Sequence, residues 1–167
     1  MGILDAIMAR GVEATGLKGQ EEIFIQSPPE RVYQLVSDVT RMGEWSPECY
    51  RCQWLDEAVG PAVGTRFKGY NRRGWLRWSM VCKVTVADPG RAFAFEVRPR
   101  GGKVQSRWRY ELEPDQGGTI LRESFEASWY IRLVVRLFFS GGHRRLAQLE
   151  ESVRQTLHRI KNAAETV

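Results

Sequence analysis

Residues 76–90 read Leu76-Arg77-Trp78-Ser79-Met80-Val81-Cys82-Lys83-Val84-Thr85-Val86-Ala87-Asp88-Pro89-Gly90. Leu76, Trp78, Met80, Cys82, Val84 and Val86 share one parity, while Arg77, Ser79, Lys83 and Thr85 share the other. A period of two is the signature of a strand with one apolar face and one solvated face. Asp88-Pro89-Gly90 then turns the chain. The pattern repeats outward in both directions. Upstream, Thr65 to Asn71 forms a strand and Arg72-Arg73-Gly74 a tight hairpin turn. Downstream, Phe93, Phe95 and Val97 alternate before a turn at Arg100-Gly101-Gly102. Trp108, Tyr110 and Leu112 alternate with Arg107, Arg109, Glu111 and Glu113; Asp115 to Gly118 turns; Leu121, Phe125, Ala127 and Trp129 complete the last strand. Turns this close together force antiparallel pairing, because parallel neighbours need crossovers of about a dozen residues.

Two further strands lie upstream. Tyr50, Cys52 and Trp54 share one parity, and Val59 to Gly64 is a turn region. Glu21 to Gln26 places Ile23 and Ile25 on one face. Between these strands, Ser27-Pro28-Pro29-Glu30 starts a helix, with Ser27 read as the cap and Val32, Leu35 and Val36 on its buried side. A second short helix covers Val39 to Glu44. A sheet with one apolar face needs a cover. Leu146, Leu149, Val153, Leu157, Ile160 and Ala164 recur at helical spacing and supply it, in a helix from about Gly142 to Ala164. The expected fold is therefore α+β: a curved antiparallel sheet of six to seven strands, two short helices after the first strand, and a long C-terminal helix across the apolar face. Residues 1–19 read as an N-terminal extension, with Ile3, Leu4, Ile7 and Met8 able to share one side of a short helix.

Composition fits one globular domain of 167 residues, 43% hydrophobic and 27% charged, so general disorder is excluded. The net charge of +5 permits anionic partners without requiring one. Cys49, Cys52 and Cys82 are odd in number, and Met1 to Gln20 has no secretory pattern, so the expectation is a reduced, cytoplasmic protein. Cys49-x-x-Cys52 has no second cysteine pair, and His143 and His158 stand at no ligand spacing from it, so neither metal nor redox use is expected. No apolar run reaches the roughly 18 residues of a membrane span.

Several stretches carry a family likeness: Ser27-Pro28-Pro29-Glu30-Arg31-Val32-Tyr33, Glu44-Trp45-Ser46-Pro47, Val63-Gly64-Thr65-Arg66-Phe67, Glu113-Pro114-x-x-Gly117-Gly118-Thr119 and Leu157-x-Arg159-Ile160-Lys161. On these the chain resembles the polyketide cyclase/dehydrase-like branch of the START-like (SRPBCC) superfamily. The resemblance implies a helix-grip fold, with residues 20–167 as the ligand-binding domain and a pocket between sheet and C-terminal helix. The family mixes cyclases, dehydratases and lipid carriers, and fold alone does not choose among them.

By parity the inward set is Tyr50, Trp54, Phe67, Trp78, Met80, Phe95, Trp108, Tyr110, Phe125 and Trp129. These either pack a solid core or wall a cavity; flat aromatics are hard to pack without gaps. Glu123 falls on the same inward parity, between Leu121 and Phe125. A buried carboxylate must be paired or protonated, so Glu123 is either a pocket anchor and acid/base group or half of an ion pair with an arginine. Asn71 is a second polar candidate, with turn chemistry before Arg72-Arg73-Gly74 as its plainer reading. No nucleophile–base–orienter set can be assembled, and no cofactor is implied. The functional expectation is a binder of a small apolar molecule, lipid or polyketide-like. The alternative is a cyclase/dehydratase using Glu123 or a pocket tyrosine. Arg132 and Arg136 with Leu133, Leu137 and Phe138 suit transient membrane contact through residues 130–139. Nucleic acid is not an expected partner, because the aromatics point inward and offer no outer stacking platform. Monomer and homodimer are both compatible with the sequence.

Overall fold

The computed structural model describes residues 17–98, 103–128 and 142–166, the last with backbone alone for 142–146. In chain order the elements are β1 (Leu17–Ile25), α1 (Pro29–Ser37), a 3₁₀ turn (Val39–Arg41), α2 (Met42–Trp45), β2 (Cys49–Trp54), β3 (Arg66–Arg73), β4 (Leu76–Asp88), β5 (Ala92–Arg98), β6 (Ser106–Asp115), β7 (Gly118–Ala127) and α3 (Gly142–Glu165). The seven strands form one curved sheet in the order β1-β7-β6-β5-β4-β3-β2, every pair antiparallel. Strands β2 to β7 are a plain meander. The pair α1–α2 carries the chain from one sheet edge, β1, to the other, β2.

The helix α3 packs against β1, β7, α1 and α2. Val153, Leu157, Ile160 and Ala164 are buried along one stripe, at helical spacing. Polar contacts at its rim fix its direction: Lys161 Nζ donates to the Phe24 carbonyl at 2.6 Å and Arg159 to the Trp45 carbonyl at 3.3 Å. The core beneath joins Ile25, Val32, Val39, Trp45, Phe67, Phe93, Leu121 and the helix stripe. Gly43 is required here, since a Cβ on it would meet the Tyr50 carbonyl oxygen at 2.5 Å.

Four details depart from the sequence expectations. Strand β1 begins at Leu17, so residues 17–19 belong to the sheet; residues 1–16 lie outside the described residues. The first helix is capped by Pro28, with Pro29 at its first turn, and not by Ser27. Ser27 is buried, and its carbonyl accepts the Thr119 hydroxyl at 2.7 Å, tying the helix start to β7. A bulge between Cys49 and Arg51 turns Tyr50 to the outer surface, 41% exposed, where it meets Tyr70 and Arg72. A second bulge between Val84 and Val86 pairs Val86 with Ala94 and Ala87 with Phe93, which moves Val86 to the outer face. In both places one extra residue reverses the parity of the strand beyond it.

Candidate functional site

The register assembles the concave face row by row. Tyr110 stands opposite Glu123, Trp108 opposite both Phe125 and Phe95, Cys82 opposite Phe67 and Val97, Met80 opposite Gly69, and Trp78 opposite Asn71. Trp108 and Phe125 lie tilted with ring centroids 5.2 Å apart, and Phe67 meets Phe95 edge-on at 5.1 Å. These rings leave a cavity of about 520 Å³ between the sheet and α3. That volume is within the range of small-molecule pockets, roughly 300–1,000 Å³.

Of the twelve residues expected on the inward face or in the site, nine line this cavity: Phe67, Asn71, Trp78, Met80, Phe95, Trp108, Tyr110, Glu123 and Phe125. Tyr50 and Trp54 do not: Tyr50 is turned outward by the β2 bulge, and Trp54, paired with Phe67, packs edge-on against it at 5.7 Å. Trp129 lies outside the described residues, as does the stretch 130–139. The sequence reading left four groups out of the candidate site. Cys52 and Cys82 face the cavity on the apolar parity of their strands, and the β2 bulge brings Cys49 to the same face. Met42, at the start of α2, lines it too. Leu149, Ser152, Val153 and Thr156 line it from α3; their i, i+3, i+4, i+7 spacing was visible, but the two hydroxyl residues hid the stripe. Gln105 lines it from the segment before β6, where no periodicity gives a direction.

Glu123 is buried, 3% exposed, and accepts a hydrogen bond from the Tyr110 hydroxyl at 2.9 Å through Oε1. Its Oε2 has no partner. No arginine ion pair reaches it among the described residues, where Tyr110 is its hydrogen-bond partner. Burial pushes the Glu123 carboxyl up to about 8, against a smaller downward pull from Tyr110. Burial and the facing carboxyl together raise the Tyr110 phenol well above its ordinary value. At neutral pH Glu123 is thus mainly a neutral acid, able to donate a proton from its second oxygen. Among the described residues, the Gln105 Oε1 is the other buried side-chain oxygen without a partner. Both residues line the same cavity. Leaving such a group unmet costs about 1–3 kcal/mol, so two in one apolar cavity call for polar atoms from a ligand or water.

A shallower depression of about 610 Å³ lies on the outer face over Ala94 and Ser124, flanked by Lys18, Arg107 and Arg109. It holds neither of the unpartnered buried atoms. Neighbouring outer charges are paired, Arg109 with Glu111 at 2.9 Å and Arg122 with Glu22 at 2.9 Å, as a solvated face requires. No group of side chains suited to hold a metal ion occurs among the described residues, and none of their helices is long and apolar enough to cross a membrane.

A curved antiparallel meander closed on a C-terminal helix around an apolar cavity is the helix-grip architecture of START-like proteins. Within it, the chain belongs to the polyketide cyclase/dehydrase and lipid transport family, whose pattern matches residues 17–165. No curated protein matches the sequence. Among solved structures, the chain is similar to a polyketide cyclase-like protein, Cgl2372 of Corynebacterium glutamicum, at 34% identity over 91% of this chain and 93% of that one, with a TM-score of 0.62. It shares its fold with the di-domain ARO/CYC StfQ of the steffimycin biosynthetic pathway at 12% identity, 90% of this chain against 51% of that one, TM-score 0.68. It also shares it with the Aha1 dimer of Colwellia psychrerythraea at 16% identity, 89% against 96%, TM-score 0.61.

Proposed function

We propose that the protein binds a small, largely apolar molecule, lipid or polyketide-like, in the cavity between the sheet and α3. The observation that carries this is the pairing of an aromatic cavity of about 520 Å³ with two unpartnered buried oxygens on its wall. The aromatic rows supply affinity by removing apolar surface from water. The polar atoms set orientation: a protonated Glu123 Oε2 donates to a ligand carbonyl or hydroxyl oxygen, and Gln105 Oε1 accepts from a ligand hydroxyl. The ligand is thus an apolar body with one or two oxygens, in a monomer or a homodimer. Residues 130–139, with Arg132 and Arg136 among apolar side chains, suit contact with a bilayer during loading. Three free thiols suit a reducing, cytoplasmic setting.

A second reading has support in one observation. A carboxyl held near 8 titrates close to neutral pH, where a general acid or base works best. With Tyr110 beside it, Glu123 could protonate a carbonyl or a leaving hydroxyl in a cyclase or dehydratase reaction.

Native mass spectrometry of the purified protein tests the binding reading. The expected result is a one-to-one adduct of a small organic molecule, weakened in Glu123→Gln. An adduct-free spectrum together with no saturable uptake of an apolar dye would reject it. Turnover of an offered polyketide-like substrate, lost in Glu123→Gln, would instead favour the second reading.

A further inference from the structure

The cavity wall holds a feature that ligand binding does not use. Cys49 and Cys52 are both buried and both line the cavity, with their sulfurs 3.4 Å apart. In a regular strand, residues three apart point to opposite faces. Here the bulge between Cys49 and Arg51 brings both to the inner face. Their partners on β3 are Asn71 and Gly69, only two residues apart. Two residues of strand span roughly 6.7 Å, at the upper end of the Cα separation a disulfide bridges, about 4.4–6.8 Å. Gly69 adds room, since even a Cβ there would stay 3.5 Å from the Cys52 sulfur and 3.6 Å from the Cys49 sulfur. The third nearby sulfur, Met42 Sδ, lies 3.8 Å from Cys52 and cannot form a disulfide.

We propose that Cys49 and Cys52 are a modification site: a dithiol in the cavity wall that closes to a disulfide when a hydroperoxide enters the cavity. In the first step the Cys49 sulfur attacks the terminal peroxide oxygen. The O–O bond breaks, Cys49 becomes a sulfenic acid, and water leaves (an alcohol if the peroxide is organic). In the second step the Cys52 sulfur attacks the Cys49 sulfur, and the sulfenic hydroxyl leaves as water with the Cys52 proton. Two thiols are oxidised by two electrons and one peroxide is reduced. The roles follow from the local hydrogen bonds. The hydrogen bond shared by the two sulfurs holds the Cys49 thiol below its ordinary range, whereas that same bond and burial push Cys52 up. Cys82 is a bystander, its thiol pushed up by burial. Closure pulls the sulfurs from 3.4 Å to about 2.05 Å and removes two thiol donors from the wall.

The test is exposure of the full chain to hydrogen peroxide, followed by denaturation and alkylation. Reduced protein takes up three alkyl groups, one per cysteine. The expected oxidised form takes up one, carries a Cys49–Cys52 linked peptide on mapping, and regains all three with dithiothreitol. Cys82→Ser should still close, going from two alkyl groups to none, and Cys52→Ser should stop at an oxidised Cys49. A dye titration of the oxidised form should show at least a several-fold change in affinity. Retention of three alkyl groups, a link that includes Cys82, or loss of closure in Cys82→Ser would each overturn the proposal. An unchanged dye affinity after closure would overturn the placement of the pair in the binding wall. Because thiol counting reads the cysteines without any ligand, it stands or fails apart from the binding reading.

Discussion

Replacing Glu123 with Gln should make the protein more stable at alkaline pH and leave it nearly unchanged in acid. The ordinary carboxyl value is 4.5, and in the fold it rises to about 8. Below 4.5 the side chain is neutral in both folded and unfolded chains, and no penalty arises. Between 4.5 and about 8 the unfolded chain releases this proton while the folded chain holds it, so stability falls as pH rises. Above about 8 the full cost of a buried carboxylate applies, on the order of 5 kcal/mol. Gln keeps the shape and an oxygen for the Tyr110 hydroxyl but never ionises. Other groups titrate alike in both proteins, so the difference between them isolates this site. The assay is urea or thermal unfolding of both proteins at several pH values between 4 and 9. The expected difference is within about 1 kcal/mol at pH 4 and grows to several kcal/mol at pH 9. For a domain of this size that is on the order of 10 °C in Tm. A difference that stays flat with pH, or a Gln variant less stable at pH 9, would refute the reasoning. Either result would mean that the carboxylate is stabilised by a positive partner.

Tyr110→Phe removes the donor to Oε1 and leaves both Glu123 oxygens unmet; it should cost about 1–3 kcal/mol in urea unfolding and move the pH window of Glu123 upward. Gly43→Ala forces a Cβ to 2.5 Å from the Tyr50 carbonyl oxygen, which belongs to backbone and cannot swing away; a loss of about 1–3 kcal/mol should appear as a lower Tm with ligand affinity unchanged.

The strands were legible because alternation is a local property. Trp78, Met80 and Cys82 on β4, and Tyr110 and Glu123 on β6 and β7, lie on the inner face where parity placed them. Parity fails where the strand is irregular. The bulge at Cys49/Arg51 sent Tyr50 outward, and the bulge at Val84/Val86 sent Val86 to the opposite face. Nothing in those residues marks an extra member in the ladder, because a bulge depends on the partner strand. Trp54 pairs with Phe67 yet stays out of the cavity lining, since parity gives a face and not a position along the wall. Glu123 stood out in the sequence because a carboxylate on an apolar parity breaks the pattern, and it lines the cavity. Gln105 did not stand out, because it sits in irregular chain with no pattern to break. Its significance emerges only from its missing partner.

The central claim is that a ligand occupies the space between α3 and the aromatic rows. Ser152 lines that space from α3 and is only half-buried, so Ser152→Trp adds an indole to the cavity from a scaffold already in place. Isothermal titration of a hydroxylated polycyclic aromatic into both proteins tests the claim most directly. The account predicts saturable one-to-one binding to the wild type, at least ten-fold weaker in Ser152→Trp, with both proteins melting as single folded domains. Equal binding by the two proteins would place the ligand elsewhere and contradict it.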